Sequence, residues 1–153
     1  MLEIRMASLD DIHILKELLK ESNLKADEVE NYISNCMIAY DCNTAVAAAG
    51  FIQIDDIAII TFVIVKNTRR REYLGDGIVK ALLNLADKRG VTRVFVAEDH
   101  CALFFKKIGF QEMPLSESKN YFNTIRATDL FRKNKIFSAT LPDFFLKACK
   151  HHH

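Results

Sequence analysis

A chain of 153 residues has room for one hydrophobic core and is too short for two ordinary domains. Half of it is apolar and 27% is charged, the balance of a globular protein rather than of a disordered or fibrous one. The net charge of +1 supplies no global attraction to nucleic acid or to an acidic membrane, so neither is expected as a partner and any polyanion site must be local.

Cysteines stand at 36, 42, 101 and 149, with no Cys-x-x-Cys pair and no histidine at metal-ligand spacing. No metal is expected, and reduced thiols point to a cytoplasmic setting. Residues 1–5 lack the apolar run of a secretion signal, and Gln53, Asp55 and Asp56 interrupt the longest apolar stretches, so no segment is expected to span a membrane. Residues 151–153, three histidines, resemble a purification-tag remnant. Residues 1–150 are read as a single domain.

Residues 2–6 alternate weakly, as a first strand would. Ser8, followed by Asp10 and Asp11, supplies a hydroxyl cap and acids for the positive end of a helix. Ile12, Leu15, Leu18 and Leu19 share one helical face, and together these signals predict a helix over 9–21. A second short helix is expected over 26–33. From Cys36 the period becomes that of strands, at 37–40, 45–54 and 57–65, with turns at 41–44 and 55–56. The third of these strands is apolar almost throughout, which places it in the middle of a sheet with both faces covered.

A basic loop over 66–73 leads to Leu74-Gly75-Asp76-Gly77, after which Val79, Leu82, Leu83 and Ala86 form the inward face of a helix reaching about Gly90. Residues 91–97 read as a strand, and 99–108 as a helix with Cys101, Phe104, Phe105 and Ile108 on one face. That helix stops at Gly109, and Phe110 opens another strand. The order is βααβββαβαβ, an α/β class with a mixed sheet flanked by helices. Beyond Pro114 lies an extension with a possible helical turn at 128–133 and a final strand or edge cover at 137–147. Pro142 argues against a central strand there.

A buried strand that runs through a glycine turn into a helix makes an anion site. Free backbone N–H groups and the positive end of the dipole face the turn, and glycine allows a phosphate close to the backbone. Arg69, Arg70 and Arg71 precede the turn. A run of arginines is commonly a solvated loop, but beside such a turn it reads as a set of phosphate contacts. No Lys-Ser or Lys-Thr follows the glycines and there is no Gly-x-Gly-x-x-Gly, so neither a nucleotide P-loop nor a dinucleotide fold is indicated.

The stretch Tyr73-Leu74-Gly75-Asp76-Gly77-Ile78-Val79-Lys80-Ala81-Leu82-Leu83 resembles the signature of the GNAT superfamily of N-acetyltransferases. Ala102-Leu103-Phe104-Phe105-Lys106-Lys107-Ile108-Gly109-Phe110 resembles the later helix of that superfamily, which ends in Gly-Phe. Element order agrees from Leu2 to Met113. The resemblance implies a central mixed, largely antiparallel twisted sheet and acetyl-CoA (coenzyme A) as co-substrate. It implies coenzyme contacts at Val63, Ile64 and Val65 on the strand, at Arg70, Arg71, Leu74, Gly75, Asp76, Gly77, Ile78 and Val79 around the turn, and at Phe104 and Lys107 on the later helix. The superfamily pattern Gln/Arg-x-x-Gly-x-Gly/Ala is departed from at Leu74 and Val79, while Gly77 is kept and Gly75 added. The implied activity is transfer of an acetyl group from acetyl-CoA to a primary amine, of a small molecule such as an amino acid, by direct attack in a ternary complex.

Such a transfer requires the amine to lose a proton, the developing oxyanion to find a donor, and the coenzyme thiolate to gain a proton. Backbone N–H groups around Val63 to Val65 can be the donor. Many relatives carry a glutamate on the central strand and a tyrosine four residues before the Gly of Gly-Phe. Here 57–65 holds no acid, and the tyrosine position is Phe105. Glu98, Asp99, His100 and Cys101 cluster where the thioester is implied to lie. His100 is the candidate base, with Glu98 beside it, and Cys101 a candidate proton donor. The plainer alternative makes Asp99 a helix cap, His100 a surface residue and Cys101 part of the core. Asp55 and Asp56 are read as a hairpin turn, and Phe104, Phe105, Phe144 and Phe145 as packing. The missing acid and tyrosine keep a second reading open, a degenerate acyl-CoA-binding module that acts as a sensor without turnover. A homodimer is also left open.

Overall fold

The computed structural model describes residues 2–24, 28–66, 71–97, 102–114 and 136–141. Apolar and alternating segments become strands, and their pairing builds a seven-stranded sheet of order β1-β2-β3-β4-β5-β7-β6. Its strands are β1 (Leu2–Met6), β2 (Cys36–Asp41), β3 (Thr44–Ile54), β4 (Ile57–Val65), β5 (Arg93–Ala97), β6 (Gln111–Glu112) and β7 (Ile136–Thr140). The helices are α1 (Ile12–Glu21), α2 (Arg71–Lys88) and α3 (Ala102–Ile108). β4 and β5 are parallel, while β1/β2, β2/β3, β5/β7 and β6/β7 are antiparallel. This is the mixed α/β architecture expected from the sequence.

Two compact units carry these elements, Met1–Ile52 with Ile60–Arg89, and Gln53–Ile59 with Gly90–His153. In the first, Leu15, Leu18 and Leu19 of α1 pack with Cys36 and Ile38 of β2, Ala48 of β3, and Phe62 and Ile64 of β4. The β2–β3 hairpin closes through Cys42 and Asn43, both with positive φ (49° and 74°), the pairing a two-residue turn needs to match the twist of its strands. β3 carries fully buried Ala47, Ala48 and Ala49, and β2 pairs beside it from Cys36↔Gly50 to Asp41↔Thr44, with a register shift between Ala39 and Tyr40.

In the second unit β5 is central. It pairs in parallel with Ile57–Ile59 and antiparallel with β7, from Arg93↔Thr140 to Ala97↔Ile136. Asp56 anchors the chain there, its carbonyl accepting from the Thr92 N–H at 2.8 Å and its carboxylate from the Thr92 hydroxyl at 2.9 Å. Asp55, with φ of 56°, forms the other half of the turn. Both acids therefore serve the hairpin. Ile57, Ile59, Phe95, Met113 and Ile136 form the core of this unit.

Three differences from the expected elements have physical causes. The second helix is a 3-10 helix over Val29–Asn35, kinked at Tyr32 (φ −131°, ψ 28°) and entered through Glu28 in the left-handed region. Its β-branched and Asn/Ser residues hold an α-helix poorly. The last strand, β7, pairs with β5 on one side and β6 on the other, and it ends before Pro142. The third concerns α2. Helical backbone already covers the residues from Arg71 to Gly77, where the sequence suggested a turn through Gly75 and Gly77. The apolar spacing Leu74, Ile78, Leu82 carries the helical period straight through the glycine segment, and all three are buried. Among the described glycines only Gly90 and Gly109 have positive φ, so Gly75 and Gly77 take ordinary helical backbone.

Candidate functional site

The C-terminal half of β4 alternates. Phe62 and Ile64 are buried against the α1 core, whereas Thr61, Val63 and Val65 are half-buried. Past Val65 the Lys66 N–H donates to the Val46 carbonyl at 2.8 Å, which holds the strand end to β3. The Lys66 ammonium lies 3.8 Å from Glu21, with both side chains largely exposed, so this pair adds little.

Thr61 is the one hydroxyl in an otherwise apolar strand, and the structure shows its use. Its Oγ1 donates to the Gly50 carbonyl at 3.2 Å and shares a hydrogen bond of 3.2 Å with the Tyr32 hydroxyl. Burial raises the pKa of Tyr32, while the Thr61 hydrogen bond acts the other way. The phenol is therefore neutral at physiological pH, a donor and acceptor rather than a base. Sequence reasoning passed over Tyr32, because its partner Thr61 lies 29 residues away.

Helix α2, 18 residues long, supplies the second part of the site. The first four N–H groups of a helix have no intrahelical partner, so the free donors here lie upstream of Gly75 rather than on the glycines. Gly77 faces β1: a Cβ on it would lie 3.5 Å from Ile4 Cδ1, in ordinary contact. The packing of helix and strand therefore has room for a methyl group at this position. Leu74, Ile78 and Val79 are buried at 3%, 0% and 0% exposure, so their side chains pack in the core. Asp76 is tied to Lys80 one turn on, at 2.9 Å. The arrangement can hold an anionic group by backbone donors and the helix dipole.

In the second unit, Phe105 is 2% exposed and packs edge-on against Phe104 and Phe110, with ring centroids 5.4 and 5.1 Å away. It is core, as read from the sequence. Phe104 is half-buried and Lys107 exposed. Glu98, Asp99, His100 and Cys101 lie outside the described residues, as do Arg69, Arg70, Phe144 and Phe145, and the segments 128–133 and 142–147. No group of three or more His, Cys, Asp or Glu side chains that could hold a metal occurs among the described residues, and no helix there is long and apolar enough to cross a membrane.

The model of the acetyltransferase (GNAT) family matches residues 6–110. No curated protein matches the sequence. Among solved structures, the fold is similar to that of N-acetylglutamate synthase from Neisseria gonorrhoeae complexed with coenzyme A and N-acetyl-glutamate. The TM-score is 0.70 at 21% identity, with 92% of this chain and 35% of that chain covered, so this chain spans about a third of that length. Rv2747 from Mycobacterium tuberculosis, in complex with coenzyme A, matches with a TM-score of 0.72 at 19% identity, over 91% of this chain and 99% of its own. Aminoglycoside 6′-acetyltransferase type Ii matches with a TM-score of 0.66 at 19% identity, over 90% and 96%.

Proposed function

Because the chain belongs to the acetyltransferase (GNAT) family, we propose that it transfers an acetyl group from acetyl-CoA to a primary amine of a small molecule, by direct attack of the amine in a ternary complex. The observation that carries this reading is the succession of a nine-residue strand, Ile57–Val65, and an 18-residue helix, Arg71–Lys88, that contains both glycines. The coenzyme thioester supplies the acyl group. Backbone N–H groups at the start of this helix, upstream of Gly75, hold pyrophosphate, with the side chains of Arg70 and Arg71 adding charge. This moves the phosphate donors one turn upstream of Gly77 and leaves Leu74, Ile78 and Val79 as the packed base of the helix.

Backbone of Val63 to Val65 holds the pantetheine arm and offers an N–H to the thioester oxygen as charge develops there. The Tyr32–Thr61 hydroxyl pair orients the incoming amine, which suits a neutral phenol held in place by a second hydroxyl. His100 takes the amine proton, Glu98 supports it, and Cys101 returns a proton to the thiolate. The acceptors of structurally similar proteins range from glutamate to aminoglycosides by their names, so the family alone leaves the amine undetermined.

Titration calorimetry with coenzyme A tests the phosphate assignment. Replacing Arg70 and Arg71 together by Ala is expected to weaken binding about tenfold or more and to flatten its dependence on salt. Equal affinity and an equal salt slope in the variant would reject the assignment.

A second reading is favoured by one observation. Phe105, at the position where relatives carry a tyrosine, is buried without a hydroxyl, and β4 has no acid. On that reading the chain binds acyl-CoA as a sensor and turns nothing over.

A further inference from the structure

We propose that the cavity where β1, the β2–β3 turn and the start of α1 meet binds a small zwitterion, a molecule with a carboxylate and an ammonium group such as a free amino acid. Its volume of about 470 Å³ lies within the range of small-molecule sites, roughly 300–1,000 Å³. Glu3 and Arg5 of β1, Asp11, Ile14 of α1, Tyr40 of β2 and Asn43 of the turn line it, all within the first compact unit. The strand register explains the grouping. Glu3 pairs with Tyr40 and Arg5 with Ile38, and Ile38 packs in the α1 core, so Glu3, Arg5 and Tyr40 share the helix-facing side of the sheet.

Arg5 is arranged to receive a carboxylate. Its Nη1 donates to Asp11 Oδ2 at 2.9 Å and to the Met6 carbonyl at 3.3 Å, and Nη2 donates to Asp11 Oδ1 at 2.9 Å. Of the five guanidinium N–H groups, that leaves Nε–H and the second Nη2–H, which run parallel along one edge. No hydrogen bond uses this pair among the described residues. Such an edge matches the two oxygens of a carboxylate. The Arg5 side chain is 41% exposed and so open to a ligand, while Asp11 and the Tyr40 ring, 4.8 Å from its Cζ, fix its orientation in advance.

The surrounding charge argues against a simple anion. Glu3 and Asp11 outnumber Arg5, so the cavity is net negative. Asp11 is already saturated by Arg5, Ser8 and Tyr40. Glu3 is exposed, and among the described residues no hydrogen bond or ion pair engages it. It stands two residues from Arg5 on the same face, placed to take an ammonium group. A carboxylate alone would meet Glu3 as a like charge, and an ammonium alone would meet Arg5. A zwitterion satisfies both, and Ile14, 36% exposed, offers its side chain apolar surface. This site is separate from the hydroxyl pair assigned to the incoming amine. Thr61 bonds to Gly50, which pairs with Cys36 at the opposite end of the β2–β3 hairpin from Asn43. Nor does it rest on the coenzyme assignment.

Nitrogen–proton NMR titrations of the full chain test it, with free L-amino acids one at a time and acetate and ethylammonium as single-charge controls. At least one amino acid is expected to shift the amides of Arg5, Tyr40 and Asn43 saturably below about 20 mM, with either control binding about tenfold or more weakly. Glu3→Gln removes the ammonium partner from an exposed position and should weaken binding about tenfold without altering the circular dichroism spectrum. Arg5→Lys keeps the charge but loses the parallel N–H pair, and a comparable loss is expected. Should Arg5→Lys fail to fold, Glu3→Gln decides alone. The proposal is overturned if no amino acid saturates these amides, if acetate binds as tightly, or if Glu3→Gln leaves the affinity unchanged. Shifts confined to Tyr32 and Thr61 would likewise overturn it, while leaving the acyl-transfer reading intact.

Discussion

At the scale of single residues, Asp11 stands out among the described side chains for the number of donors that hold it. Its side chain is 5% exposed, and it accepts from both Arg5 Nη atoms at 2.9 Å, from the Ser8 N–H at 2.8 Å and from the Tyr40 hydroxyl at 2.8 Å. Burial alone would raise its pKa, but these donors more than offset that and hold the carboxyl well below the usual carboxylate range. The Arg5 guanidinium also lies 4.8 Å from the centre of the Tyr40 ring, adding a cation–π contact. A carboxylate with a depressed folded-state pKa contributes stability that is complete above its unfolded value, about 3.9, and is lost as pH falls through the folded one. Asp11→Asn is therefore expected to cost about 1–3 kcal/mol at neutral pH, below the full value for a buried pair because Arg5 is partly exposed. It should also flatten the fall of melting temperature between about pH 5 and pH 2. Thermal melts of both proteins across that interval check the sign and the window. The sequence marked Asp11 only as an acid in a first turn. Its carboxylate does reach back to Ser8, but its partners on β1 and β2 come from outside the helix.

At the scale of elements, close approach of strands sets what each position tolerates. Gly50 of β3 stands opposite Cys36 of β2, and a Cβ there would come within 2.7 Å of Phe62 Cε1 and 2.8 Å of Cys36 Sγ. Both neighbours are buried, so neither can swing away. Gly50→Ala is expected to destabilise by about 1–3 kcal/mol through overpacking, read as a lower urea midpoint with little change in m. The same crowding seals off Cys36, whose thiol burial pushes up to about 12, so it is inert at neutral pH. Helix α2 shows the limit of local signals. Glycine normally punctuates, yet Leu74, Ile78 and Leu82 needed a continuous helix to reach the core, and packing overrode the propensity of Gly75 and Gly77. This displaces the free N–H groups upstream, which is why the phosphate donors proposed here differ from the glycines that first drew notice.

At the scale of the whole molecule, binding and turnover separate the two functional readings. A ligand that binds only the folded chain raises its stability by mass action, about 2.7 kcal/mol at a hundredfold excess over Kd. Coenzyme A is therefore expected to raise the melting temperature on either reading. An enzyme should also release thiol from acetyl-CoA when given a panel of amines, whereas a sensor should show the thermal shift alone. Stabilisation without thiol release from any amine would reject the catalytic reading, and absence of both would reject the coenzyme site itself.

Periodicity and turn chemistry in the sequence determined the strands from Cys36 to Val65, the amphipathic α1, the order of elements and the family signature, because these depend on neighbours a few residues apart. β4 was legible to its ends, since nine residues that are apolar but for Thr61, bounded by Asp56 and Lys66, admit few alternatives. Tertiary structure alone decided that α2 runs through Gly75 and Gly77, that Gly77 faces Ile4, that Thr61 meets Tyr32, and that Asp11 gathers Arg5, Ser8 and Tyr40. Each of those is a contact between segments far apart in the chain. Such contacts are set by which side chains fit together in a shared core, and no local pattern of residues encodes that.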